Sequence, residues 1–287
     1  MAGELRTGVA HGADAGVLWG TLREVVSAQA ARAGRASLDV VDVGGGTGGF
    51  AVPLAILGHS VTVIDPSPDS LAAAQRRAAE AGVPLRAMQG DVSDLTVLAA
   101  AGPAGEAGAD VVLCHSVLEY VESPQAAMTA IAAILRPGGV VSVLAASAVA
   151  AVIHRALAGR FDEARGLIAA MPAGPGPARP DGAAVPEGAA VPEGTAVSEG
   201  AAVQEGAMVP EGMPRRFTLA AVTGLIEKAG LRPGPGHGVR VFTDLVPSML
   251  TDTDPAAAGA LLALEEAASA HPAFRGMATQ LHVLGFR

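Results

Sequence analysis

Aromatic side chains are scarce: the 287 residues hold one Trp, one Tyr and six Phe. That scarcity argues against a platform for stacking many bases. Cys114 is the single cysteine, which excludes an intrachain disulfide and a cysteine-built metal cluster. The seven histidines fall at no metal-ligand spacing, so no metal site is expected. No apolar run reaches the about 20 residues that cross a bilayer. The longest candidate, GGVVSVLAASAVAAVIHRALAG, reads as a buried strand entering a helix. Glu4 and Arg6 stand where a signal peptide would place its apolar core, so the expectation is a soluble, cytoplasmic protein without a membrane partner. Basic charge is short as well: 19 Lys and Arg face 28 Asp and Glu, a net −9. A balance of that sign does not point to nucleic acid.

Five of the acidic residues, Glu187, Glu193, Glu199, Glu205 and Glu211, recur in an imperfect hexapeptide, AAVPEG, over 183–212. One aliphatic side chain per repeat, followed by proline in three copies, offers too little apolar surface to offset the ordering entropy. The copies are too few for a β-solenoid. Residues 173–213 are therefore expected to be a disordered linker between 1–172 and 214–287, two parts of one domain with a helix at its N-terminus.

Elsewhere, β-branched runs alternate with Ala- and Leu-rich helical stretches. LDVVDV (38–43), HSVTVID (59–65), a strand within PLRAMQGD, ADVVLCHS (109–116) and VVSVLAA read as five strands. Pro68 after Ser67, Pro124 after Ser123 and Pro255 after Asp254 are helix starts with a capping side chain ahead of them. This alternation predicts an α/β fold with a parallel, doubly wound sheet and helices on both faces. Past the repeats, a helix capped at Thr218, a strand in HGVRVFTD, a helix from Pro255 and a closing strand QLHVLGFR suit an antiparallel edge that brings the sheet to seven strands.

The stretch VVDVGGGTGGF puts five glycines into residues 44–49, directly after the first strand. Gly44, Gly46 and Gly48 give G-x-G-x-G; Gly44, Gly46 and Gly49 equally give the dinucleotide spacing G-x-G-x-x-G. Both let the backbone turn tightly and approach a ligand closely. Asp42, inside the strand, suits a cofactor bearing an ammonium group better than one bearing a pyrophosphate. Asp65, ending the second strand, can accept both ribose hydroxyls in either reading. Asp91, after the third strand, is placed to accept from an adenine amino group. The bland alternatives are helix capping for Asp65 and Asp91, and an ion pair within the sheet for Asp42.

In order, DVGGGTGGF, VIDPS, QGD, ADVVLCHSVLEYV and LRPGG resemble the class I S-adenosylmethionine-dependent methyltransferases over residues 38–145. The resemblance implies a Rossmann-like fold, S-adenosylmethionine as cofactor, and a cofactor site of Asp42, Gly44, Gly45, Gly46, Gly48, Asp65, Ser67, Asp91, Val92 and His115.

Further motifs, GVLWGTLREVV, IHRALAGRFDEA, GVRVFTD, ALLALEE and LHVLGFR, are similar to the tRNA 5-carboxymethoxyuridine methyltransferase family. That implies tRNA as partner and a wobble-uridine carboxylate as methyl acceptor. Arg240 is then a candidate to orient the carboxylate, with Arg215 and Arg216 as further substrate contacts and His115 beside the transferred methyl. Asp244 is the bland partner for Arg240. Ahead of LW, where the family carries basic residues, this chain has AHGADAGVLW, and the family's lysine-rich segment before the next helix is reduced here to Arg215 and Arg216. That loss favours the alternative, a small-molecule O- or N-methyltransferase, because phosphate contacts supply most RNA affinity. A catalytically silent binding module is the third class.

Overall fold

The computed structural model describes residues 14–92, 95, 108–171, 214–252 and 254–287. The expected linker over 173–213 lies outside them.

Seven strands form one sheet in the order β3-β2-β1-β4-β5-β7-β6. They are β1 (Asp39–Val43), β2 (Ser60–Asp65), β3 (Arg86–Gln89), β4 (Ala109–His115), β5 (Leu135–Ala146), β6 (Arg232–Val239) and β7 (Gln280–Phe286). The first five pair in parallel; β7 runs antiparallel between β5 and β6. β1, β2 and β4 are buried on both faces, which is why their sequences read as continuous rather than alternating apolar runs.

Helices cover both faces. α1 (Asp14–Ala33), α2 (Ala51–Ile56) and α3 (Pro68–Glu80) lie on one side. There Leu18, Leu22, Leu54 and Leu71 pack on Val40, Leu113, Leu144 and Leu284. α4 (Pro124–Ile134) and α7 (Leu219–Lys228) cover the other, with Met128, Ile131, Val222 and Ile226 against Val41, Cys114, Val143 and Val283. α5 (Ala148–Leu157) and α6 (Phe161–Ala170) follow β5, and α8 (Pro255–Ser269) lies between β6 and β7. Ser67, Ser123, Thr218 and Asp254 each accept a backbone N–H at a helix start, as their position before proline or a helical run implies.

Two strands depart from expectation. β5 begins at Leu135, directly after α4, so LRPGG is strand with a register shift rather than a stop before one. β6 is RPGPGHGV, ending at Val239, where the expected strand was HGVRVFTD. Pro233 and Pro235 discourage a strand assignment from sequence. They are tolerated here because β6 is the sheet's outer edge, with a register shift between Pro233 and Gly236.

The amino-terminal rim of the sheet is tied by charge. Asp110, nearly buried, accepts from Arg35, from Arg136 at 2.6 Å and from the Asp39 N–H at 2.8 Å. Arg136 also reaches Asp39 at 2.9 Å.

Candidate functional site

β1 has β2 on one side and β4 on the other, so the chain crosses over in opposite directions from it. A crevice opens at such a switch point, beyond the carboxyl ends of the strands. The glycine loop leaves β1 there. The Gly44 N–H donates to Ile64 O at 2.7 Å, and the Gly46 N–H donates to Asp65 Oδ2 at 2.9 Å. Both residues have positive φ, 65° and 53°, which favours glycine over any L side chain. A Cβ on Gly44 would strike Val117, while one on Gly46 would enter open space. Gly45 sits over Asp42, its would-be Cβ 2.6 Å from that carboxylate, and Gly48 lies against Ala74 of α3.

Asp65 is buried and divides its oxygens: Oδ2 takes Gly46, and Oδ1 takes the Ser67 N–H at 2.9 Å. It braces the loop and does not cap α3, a task that falls to Ser67, whose Oγ accepts from the Ser70 N–H. Asp42 is buried, and its Oδ2 has no hydrogen-bond partner among the described residues. Burial, with Asp65 nearby, pushes its carboxyl up to about 7. Among the described residues no cation pairs with it, contrary to the bland reading. An orphaned acid beneath a glycine cradle fits a ligand that brings its own cation, and an aminocarboxylate with an ammonium group supplies one. The residues present therefore fit S-adenosylmethionine.

Asp91 is exposed just beyond β3, and Val92 is half-buried against the α4-side core. His115 ends β4, one residue past the Val43–Cys114 pair and so beside the loop. Its ring meets Phe50 edge to face at 4.8 Å, and Nε2 bonds Ser142 Oγ at 2.9 Å. Burial pushes the ring down to about 3, so it is neutral at pH 7 and does not serve as a ready proton donor. Burial also raises the Cys114 thiol, leaving it unreactive.

Arg240 follows β6 at the same edge, because Val239 and Ala146 both pair with Gln280 at the start of β7. Gln280 in turn donates to Ser116 Oγ, next to His115. Arg240 has φ 62° and is ion-paired with Asp244, which also accepts from Thr279 Oγ1 at 2.6 Å. The turn after it is clamped by buried Glu265 of α8, which accepts from the N–H groups of Val241, Phe242 and Thr243 and from Thr243 Oγ1. Arg215 is committed to the fold: its guanidinium donates to the carbonyls of Val121 and Glu122. Arg216 is exposed and faces Glu119.

Glu119 is missing from the sequence-based candidates. It is nearly buried, with Oε1 accepting the Ala146 N–H at 2.6 Å and Oε2 unpartnered. Burial raises its carboxyl, partly offset by backbone hydrogen bonds and Arg216. An acid inside the apolar run VLEYV was the available signal. Tyr120, next in the same run, is largely exposed. Among the described residues no group of three His, Cys, Asp or Glu is arranged to hold a metal, and no helix is long and apolar enough to cross a membrane.

Residues 40–139 match a family model described as a methyltransferase domain. Over 148 residues the chain is 34% identical to the tRNA 5-carboxymethoxyuridine methyltransferase of Escherichia coli K12, covering 51% of this chain and 53% of that one. Over 103 residues it is 41% identical to a ubiquinone biosynthesis O-methyltransferase of Methylobacterium nodulans, covering 36% and 39%. The chain thus spans about half the length, or less, of these relatives. Magnesium protoporphyrin IX methyltransferase from Synechocystis PCC 6803, solved with bound SAH, superposes with a TM-score of 0.50 at 14% identity, over 94% of this chain and 84% of the other. That likeness shows the fold, a Rossmann-like, mostly parallel seven-stranded sheet. S-adenosylmethionine is the cofactor of the methyltransferases that share it.

Proposed function

We propose, taking the class I S-adenosylmethionine-dependent methyltransferase fold as premise, that the protein transfers a methyl group to the carboxylate of 5-carboxymethoxyuridine at the tRNA wobble position. The observation that carries the reading is the shared edge: the glycine cradle with Asp42 and Asp65 lies along one rim with Arg240, a cation held by a clamped turn. The 34% identity to the E. coli tRNA enzyme supports the acceptor.

Bound cofactor would supply an activated methyl group. Asp42 would receive its ammonium, Gly44–Gly48 would admit the methionine end, Asp65 the ribose and Asp91 the adenine. A carboxylate acceptor is already ionised at pH 7, so the chain needs no strong base. Its task is alignment, bringing the acceptor oxygen in line with the bond that breaks. Arg240 can fork onto the carboxylate, exchanging part of its contact with Asp244. Neutral His115 packs beside the loop without adding a repelling charge.

A second reading, a small-molecule acceptor, draws on the ubiquinone-pathway relatives and on how few cations the edge leaves for phosphate. Mass spectrometry of nucleosides from bulk tRNA separates the two, using a host strain with the gene deleted and then restored. Loss and return of the methyl ester support tRNA; unchanged nucleosides support the small molecule.

A further inference from the structure

Four polar residues stand in a row on the α1 side of the sheet, on four neighbouring strands. Alternation puts His115 of β4, Ser142 of β5, His282 of β7 and His237 of β6 on the same face as Leu113, Leu144, Leu284 and Val239. Ser142 and His282 are buried, and the His115 ring is sealed under Phe50. Ser142 Oγ lies 2.9 Å from His115 Nε2 and 2.8 Å from His282 Nε2. The His237 ring stacks on His282 at 6.0 Å.

One hydroxyl between two imidazole nitrogens has a strict consequence. It carries one proton, so both rings cannot accept from it. If both rings donated, the hydroxyl proton would be left buried with no acceptor, since Ser142 Oγ has only these two partners among the described residues. One ring must donate and the other accept. Burial keeps both rings neutral, each pushed down to about 3, so the two are opposite tautomers.

The sense follows from the remaining nitrogens. Among the described residues His115 Nδ1 is sealed from solvent without a partner, and His282 Nδ1 is not sealed in that way. An orphaned buried N–H is the rarer defect, which puts the His115 proton on Nε2. We propose that Ser142 and His282 are positioning residues that hold His115 in one neutral tautomer, with Nε2–H on Ser142 and a bare lone pair at Nδ1. Its value rests on the methyltransferase reading: a neutral ring fixed in one tautomer under Phe50 adds no charge beside the glycine loop.

Long-range proton–nitrogen correlation NMR of the full chain labelled at histidine, at pH 7.5, tests this directly. His115→Gln and His282→Gln assign the two rings. The expected wild-type result is His115 protonated at Nε2 and His282 at Nδ1. The same tautomer in both rings, or the reverse pair, overturns the proposal. Ser142→Ala is expected to lose the single His115 tautomer, giving averaged nitrogen signals, and Ser142→Thr to restore it. An unchanged His115 pattern in Ser142→Ala would reduce Ser142 to packing and overturn its role. Titrating the wild-type sample with S-adenosylhomocysteine separates the premises: no binding counts against the cofactor reading and leaves the tautomer result standing.

Discussion

Asp65 Oδ2 accepts the Gly46 N–H at 2.9 Å, which ties the carboxyl end of β2 to the turn that leaves β1. One carboxylate thereby fixes the loop in a left-handed backbone and stands beside the space a ligand would fill. Its other oxygen holds the Ser67 N–H, so the start of α3 is set by the same group.

Asp42 gives a pH prediction. Its carboxyl is pushed to about 7 in the fold against an ordinary 3.8, so the folded state holds the proton more tightly than the unfolded chain. Stability from this group therefore falls as pH rises from about 4 to about 7, and the loss is complete above that. Asp42→Asn removes the fall. Calorimetric scans are expected to show the variant gaining several degrees in Tm relative to wild type between pH 5 and pH 8. Parallel pH profiles would contradict the assignment.

At the opposite rim, Asp110 is buried and shared by Arg35 and Arg136. Asp110→Ala leaves both guanidinium groups short of a partner and is expected to cost about 3–5 kcal/mol in urea unfolding. Affinity for S-adenosylhomocysteine is expected to hold within about twofold, since the change lies at the far end of the strands. A large loss of affinity in folded protein would mean that the two rims are coupled.

Arg240 is paired with Asp244 yet held at the edge that carries His115. Arg240→Ala is expected to lower kcat/KM for a carboxylate acceptor about 10²-fold, about 2.7 kcal/mol, in transfer of labelled methyl groups to tRNA. Cofactor affinity should stay nearly constant. An unchanged rate would return Arg240 to a purely structural pair.

The helix starts were legible because capping is local: Ser67, Ser123, Thr218 and Asp254 each act within three residues of themselves. The parallel strands were legible because burial on both faces leaves a continuous apolar run. β6 was not, since its prolines are acceptable only at an edge, and edge position is a property of the whole sheet. Glu119, Ser142 and His282 were missed as site-forming residues for a similar reason. Their partners lie on other strands, 27 residues away for Glu119 and 140 for Ser142 with His282. The glycine loop, Asp42 and Asp65 fall within 24 residues on adjacent strands, and their proximity could be inferred from spacing.

The account turns on what fills the space above Gly46. Calorimetric titration of the wild-type chain with S-adenosylhomocysteine, set beside Gly46→Val, measures it. A Cβ there meets nothing within 4 Å among the described residues, so a branched side chain would stand in the ligand's place, with about 1–2 kcal/mol of backbone strain at φ 53° as the cost to the fold. One-to-one binding by wild type and none by the folded variant is the predicted result. Wild-type protein that binds nothing, or a variant that binds as well, would contradict the cofactor site.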